Sequence, residues 1–309
     1  MSLISIVTPT FNEVSNIEKL SIKIKEICDA HKINYEQIII DNNSDDGTID
    51  IIKKLTSKFK NIKAILNQSN YGHLRSPFHG MMQSKADAVI LMMSDFQSPP
   101  ELIVNYYKKW ISGSQVVLGR RTRLSDKPFQ KFLKVLYYKL IVRIANHKLE
   151  KNITGEGLYD KKVINILKTI KDPYPFLRGL IFELGFKIDF VDFEQVKRIA
   201  DTSKNNFFTL FDLGLIGIVK HSNTLLRLMI LFGFVLGILS LLISIVFFIY
   251  KLFYWNSFEL GLAPMLVGFF GLTSLQIMLI GLIGEYISLV LIYSKNLPLV
   301  IEKERINFD

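Results

Sequence analysis

At 309 residues the chain exceeds one average domain, so two structural units are the starting expectation. Lys and Arg number 38 against 28 Asp and Glu, a net charge of +10, and 49% of residues are hydrophobic, which excludes a disordered or low-complexity polymer. The single cysteine, Cys28, excludes an intrachain disulfide and a Cys-rich zinc cluster. The first residues carry no basic stretch and reach Pro9 too early for a signal peptide, so none is expected.

In chain order, residues 3–8 form a short β-branched run ended by Pro9, which reads as a strand. Residues 15–30 place Ile17, Leu20, Ile24 and Ile27 on one helical stripe. Strand then alternates with helix: Ile38 to Ile40, helix 48–59, strand 62–66, helix 78–85, strand 88–93, helix 100–111, and a strand at Val116, Val117 and Leu118. Such alternation implies right-handed crossovers and a mainly parallel, Rossmann-like α/β sheet. Ligands of these sheets bind beyond the carboxyl ends of the strands, so polar clusters should follow the apolar runs. They do, at residues 9–13, 41–48, 67–72 and 94–101. Each alone fits a turn with a helix cap; four in the expected place favour a shared site. A Gly-x-Gly-x-x-Gly fingerprint and a Walker-type Gly-Lys-Thr are both missing, which argues against a dinucleotide oxidoreductase or P-loop enzyme.

Further along, residues 128–147 interleave Phe129, Phe132, Leu136 and Leu140 with Lys131, Lys134, Lys139 and Arg143, and residues 206–224 carry Phe207, Phe208 and Phe211. Both stretches suit amphipathic helices at a headgroup plane or packed on the domain. Residues 228–250 and 260–284 are runs of 23 and 25 residues without a charge, each long enough to cross a bilayer, so a two-helix transmembrane hairpin is expected. Residues 1–227 hold 34 basic and 23 acidic groups, whereas the loop between the runs has one Lys, which puts the large domain and the tail on the cytoplasmic side. Gly268, Gly271, Gly281 and Gly284 could support close helix packing or a homo-oligomer. The basic charge is assigned to the membrane, not to nucleic acid, because no recognition motif accompanies it.

The segment from Ile6 to Glu13, the Asp41–Thr48 stretch, Asn70-Tyr71-Gly72, residues 94–101, residues 157–163, Phe176-Leu177-Arg178-Gly179, Arg198 with Ser203-Lys204, residues 281–287 and Pro298-Leu299-Val300 resemble, in order and spacing, the family 2 glycosyltransferases. Within that family the likeness is to the polyprenyl-phosphate sugar transferases, and it covers almost the whole chain. The resemblance implies a GT-A fold, a nucleoside diphosphate sugar donor, Mg²⁺ or Mn²⁺, and a polyprenyl phosphate acceptor, with the protein a multi-pass component of a bacterial inner membrane. It divides the chain into a catalytic domain (1–204), a juxtamembrane segment (205–227), two spans (228–294) and a cytoplasmic tail (295–309). Pro9, Phe11, Glu13 and Asp41 would then line the nucleoside pocket, Asp95 would ligate the metal, and Gln97 would contact the donor sugar or acceptor phosphate. Arg178, Arg198 and Lys204 would hold phosphate groups.

Four positions depart from the family pattern. Met93 replaces the first carboxylate of Asp-x-Asp, and Asp41-Asn42-Asn43 replaces Asp-Asp-Gly. Glu156-Gly157-Leu158 stands where Phe-Arg-Leu is usual, and Gln195 where an Arg is often found. The function expected is inverting transfer of a hexose to undecaprenyl phosphate. Transfer to another polysaccharide or lipid-linked acceptor, and a catalytically silent scaffold for glycan assembly, stay open as alternatives.

Overall fold

The computed structural model describes residues 2–122, 152–195 and 297–308, together with scattered helical positions between 231 and 295. The chain divides into two compact units: Met1–Val142, His147–Asn206 and Leu297–Asp309 make the first, and Arg143–Asn146 with Phe207–Asn296 the second. In the first unit the strands are β1 (Ile4–Thr10), β2 (Tyr35–Asp41), β3 (Ile62–Asn67), β4 (Ala88–Leu91), β5 (Val116–Arg121), β6 (Ile153–Asp160), β7 (Ile188–Phe193) and β8 (Glu302–Ile306). The helices are α1 (Ile17–Ala30), α2 (Thr48–Lys58), α3 (Gly72–Met82), α4 (Leu102–Ile111), α5 (Lys161–Thr169) and α6 (Leu177–Glu183).

One eight-stranded sheet runs in the order β7-β5-β6-β4-β1-β2-β3-β8. The pairs β1–β2, β1–β4, β2–β3 and β5–β7 are parallel, while β6 runs antiparallel between β4 and β5. The expected parallel α/β core is therefore present, with an antiparallel strand inserted into it. Successive strand residues serve opposite faces. Val7, Ile38, Ile40, Val89 and Leu91 pack with Phe78 and Met81 of α3 and with Val163 and Leu167 of α5. Ile4, Ile6, Ala88 and Ile90 pack with Leu20 and Ile24 of α1 and with Ile103 and Tyr106 of α4, and Ile39 packs with Ile52 and Leu55 of α2. Both faces being covered explains why these strands read as unbroken apolar runs. Burying each of these side chains contributes roughly 1.5–3 kcal/mol before entropy is counted.

Two elements differ from the sequence expectation. Helix α3 begins at Gly72 instead of residue 78 and carries Pro77 in its interior. A proline removes one backbone N–H and crowds the preceding turn, which is why the sequence favours a start after it. The second is β8. Its sequence, Glu-Lys-Glu-Arg-Ile, has no apolar alternation, yet it pairs antiparallel with β3, matching Leu66 to Glu304 and Ala64 to Ile306. Side chains hold this tail strand in place. Arg75 donates from Nε to the Leu299 carbonyl at 2.8 Å and from Nη2 to the Pro298 carbonyl at 2.9 Å. Asn307 Nδ2 donates to the Thr56 and Ile62 carbonyls, each at 2.8 Å. Glu302 meets His79 Nε2 at 2.6 Å and accepts from Arg305 Nε at 2.8 Å.

Burial alone would raise the Glu302 carboxyl, but the hydrogen bonds from Arg305 and His79 outweigh it, so the group sits below its ordinary value. A depressed carboxylate stabilises the fold fully above its unfolded pKa, and that contribution disappears as pH falls through the folded value. Glu302→Gln is therefore expected to lower stability by about 1 kcal/mol at neutral pH. In urea titrations at falling pH the variant and the wild type should converge in the acid range; a constant gap down to pH 3 would remove the ionic origin of the effect.

Candidate functional site

The polar clusters after β1, β2 and β3 are stitched to one another. Asn12 Nδ2 donates to Asp45 at 2.7 Å, and the Asp45 amide donates back to Asn12 Oδ1 at 3.0 Å. The Asn12 amide reaches Ser44 Oγ at 2.9 Å, and the Glu13 amide reaches Thr48 Oγ1 at 3.0 Å. Asn42 ties in the third loop: its Nδ2 donates to Asn70 at 2.7 Å, while its Oδ1 accepts from the Tyr71 amide at 2.9 Å and from Asn67 Nδ2 at 3.2 Å. Asn12 and Asn43 hold left-handed backbone conformations, φ 54° and 65°, which asparagine tolerates better than most residues. The clusters thus supply both turn chemistry and a fixed rim along the strand ends.

Asp41, at the end of β2, has no exposed surface. One of its oxygens accepts from the Ser44 amide at 2.9 Å and the other from Ser44 Oγ at 2.5 Å. Burial raises its pKa and the Ser44 bonds partly offset that. Pro9 sits beside Ile40 in the β1–β2 register, and its carbonyl accepts from Ser94 Oγ at 3.0 Å, which joins the first and fourth clusters. Glu13 Oε2 accepts from Asn16 Nδ2 at 2.6 Å at the start of α1, with Phe11 two residues before it.

The fourth cluster follows β4. The Gln97 amide donates to Asp95 Oδ1 at 3.2 Å across Phe96, which has φ 54°. Gln97 Oε1 in turn accepts from Gln195 Nε2, so the residue standing in place of the usual Arg orients the Gln97 amide. Met93, by contrast, packs against the apolar cluster under the sheet.

Beside these residues β6 is distorted. Its pairing with β5 shifts register between Leu118 and Arg120, and the segment Thr154-Gly155-Glu156-Gly157 fills the irregularity. Gly155 and Gly157 have φ of 80° and 155°. A Cβ on Gly155 would stand 3.0 Å from Arg178 Cγ, so its absence lets the Arg178 side chain lie across β6. Arg178, in the first turn of α6, donates from Nη1 to the Ile153 carbonyl at 3.0 Å and stacks on the Phe176 ring at 5.5 Å.

Between the two glycines, Glu156 is 4% exposed. Burial pushes its carboxyl up to about 7, the nearby Asp95 charge adds to the rise, and Ser98, Arg121 and Arg178 oppose it. Among the described residues, Glu156 Oε2, Ser98 Oγ and Arg121 Nε are buried without a hydrogen-bond partner. Burial, then the Arg178 charge, holds His73 below its ordinary value. The arrangement sets two carboxyls and two guanidinium groups in electrostatic contact at the strand ends. It can take a polyanion together with a counter-cation.

Residues 5–167 match the family model described as glycosyl transferase family 2. The chain belongs to glycosyl transferase family 2. As a glycosyltransferase of that family, it is similar along nearly its whole length to the bactoprenol glucosyl transferase of Shigella phage SfV, with 30% identity over 97% of this chain and 98% of the relative. The prophage bactoprenol glucosyl transferase homolog of Escherichia coli K12 is 29% identical over 97% of this chain and 98% of its own. In fold, the transferase is similar to glucosyl-3-phosphoglycerate synthase from Mycobacterium tuberculosis, solved with Mn²⁺, uridine diphosphate and phosphoglyceric acid. That match has a TM-score of 0.51 and 17% identity over 71% of this chain and 76% of the other. The α/β unit of the transferase is accordingly GT-A-like.

Of the residues singled out from the sequence, Pro9, Phe11, Glu13, Asp41, Asp95, Gln97 and Arg178 follow or flank the strand ends of this unit. Arg198 and Lys204 lie outside the described residues, as do residues 128–147 and 206–224. Sequence reasoning passed over Glu156 and Arg121 as site groups. The signal for the first was a carboxylate between two glycines in an otherwise β-like run, a pattern that marks a bulge. Among the described residues no three His, Cys, Asp or Glu side chains gather to hold a metal.

Proposed function

We propose that this glycosyltransferase moves a hexose from a nucleoside diphosphate sugar to undecaprenyl phosphate at the cytoplasmic face of a bacterial inner membrane. The observation that carries the reading is the clustering of Asp95, Arg178 and Arg121 at the strand ends of a family 2 chain whose full-length relatives include bactoprenol glucosyl transferases. In this reading Pro9, Phe11, Glu13 and Asp41 bound the nucleoside end of the site, and Gln97, aligned by Gln195, meets the donor sugar. The Asp95 carboxylate is a hard oxygen donor suited to Mg²⁺ or Mn²⁺, which would neutralise charge on a departing diphosphate. Arg178, with Arg198 and Lys204, holds phosphate oxygens through charge-assisted bonds.

The acceptor oxygen of a polyprenyl phosphate is ionised at neutral pH, so the attack needs no strong general base. It forms the bond to the anomeric carbon as the bond to the diphosphate oxygen breaks, the nucleoside diphosphate leaves, and no proton changes hands. An in-line displacement of this kind inverts the anomeric centre. What the side chains contribute is alignment and charge compensation.

Membrane attachment rests on residues 228–250 and 260–284. Among the described residues no helix is long and apolar enough to cross a membrane. The described positions inside the two runs are helical and leave large apolar groups bare, with Met265 68%, Ile280 65% and Val246 64% exposed. Such exposure is unfavourable in water and ordinary in lipid.

Membranes carrying the protein, given radiolabelled nucleoside diphosphate hexose and undecaprenyl phosphate, are expected to form an acid-labile, organic-extractable sugar lipid. Label appearing only in saccharide or protein would overturn the lipid-phosphate acceptor.

A further inference from the structure

We propose that Glu156 is a second protein ligand of the divalent cation, supplying from β6 the carboxylate that Met93 fails to supply after β4. The inference deepens the function proposed above and rests on it. A family 2 site that keeps both acids of Asp-x-Asp draws two carboxylates from one loop. In this chain position 93 is a methionine packed into the apolar cluster, which leaves Asp95 as the one acid of that motif.

Three observations direct Glu156 to the same place. The first is backbone geometry. In the antiparallel β4–β6 pair Leu91 sits opposite Gly157, so Glu156 stands at the point where β4 runs out toward Asp95. The Glu156 amide donates to Thr154 Oγ1 at 3.1 Å, and the flanking glycines adopt the positive φ values that the bulge requires. The second is the orphaned oxygen. Glu156 Oε2 is buried and accepts no well-formed hydrogen bond among the described residues, with Ser98 near enough to favour its charged form. Native interiors rarely leave such atoms unsatisfied unless a ligand or an ordered water completes them. The third is charge. Asp95 and Glu156 feel each other's charge, Arg121 and Arg178 offset part of that repulsion, and a divalent cation held by both carboxyls would relieve more of it. Arg178 gives one donor to the Ile153 carbonyl, and Arg121 Nε donates to nothing among the described residues. Neither guanidinium therefore uses Oε2.

Mn²⁺ alone carries a charge that both acids attract, and a nucleoside diphosphate adds the remaining oxygens. A single change tests this with a readout that does not depend on turnover. Glu156→Gln keeps the shape and removes a buried charge, so the variant without metal should unfold at the same temperature as the wild type or higher. Full-length protein in detergent would be titrated with Mn²⁺ in the presence of uridine diphosphate, following free Mn²⁺ by electron paramagnetic resonance and the metal-induced rise in unfolding temperature. We expect Glu156→Gln to bind Mn²⁺ about 10–100-fold more weakly and to lose most of that rise. Wild-type Mn²⁺ affinity in Glu156→Gln, with affinity lost in Asp95→Asn, would overturn the second ligand and leave the proposed function standing. Wild-type affinity in both variants would overturn the metal site of the proposed function itself. A variant that unfolds earlier than wild type without metal would show Glu156 to be structural and would also overturn the proposal.

Discussion

Asp95→Asn is expected to lower sugar transfer by about 10³-fold while leaving the protein folded. The substitution keeps the size of the side chain and its ability to accept from the Gln97 amide, now at 3.2 Å, but removes the full negative charge. With Met93 apolar, no other acid of the Asp-x-Asp motif can take over. A neutral amide binds a hard divalent cation far less well than a carboxylate, and the departing diphosphate then loses the charge that balances it. Initial rates at saturating donor, with and without a chelator, check this. The chelated wild type should fall to the level of the variant. Rates within threefold of wild type in Asp95→Asn would remove the carboxylate from the reaction.

Gly157→Ala is expected to destabilise the protein by roughly 3 kcal/mol or more, enough to deplete folded enzyme. A Cβ at this position would lie 2.1 Å from the Val117 carbonyl oxygen and 2.9 Å from Leu118 Cα, both of them backbone atoms that cannot rotate aside. The backbone there also has φ 155°, a conformation L side chains rarely adopt. Relief requires β5 and β6 to separate, and that pair carries Arg121 and Glu156 to the site. Thermal unfolding of the purified variant measures the loss. Gly113→Ala is the control for a positive-φ glycine alone, because a Cβ there meets nothing within 4 Å. Equal losses in the two variants would show that the clash with β5 is not what makes Gly157 necessary.

The strands of the central sheet were legible because both of their faces are covered. Ile38, Ile39 and Ile40 alternate between two apolar layers, so the whole run must be hydrophobic. The strand-end clusters were legible because a parallel sheet puts its ligand-facing loops at one edge. Asp41 shows how far that goes: its position at the end of β2 follows from the pattern, whereas its engagement by Ser44 depends on how one loop folds. Glu156 was harder. It comes to the end of β4 through the antiparallel insertion of β6 between β4 and β5, a pairing of segments some 60 residues apart that local sequence does not encode. The tail strand was harder still. Its residues are mostly charged, and they become an edge strand because β3 presents unpaired backbone groups and Lys53 pairs with Glu304 at 2.8 Å.

Apolar periodicity, turn residues and motif order by themselves determined the α/β class, the family and the loops where chemistry belongs, since each strand, helix and motif is written in consecutive residues. Only the tertiary structure decided which groups meet: Gln195 on Gln97, Glu156 at the end of β4, and the chain's last residues on β3. Those meetings come from strand order and from a glycine-lined bulge. Both are fixed by long-range hydrogen bonding and close packing, forces that act between residues far apart in the chain.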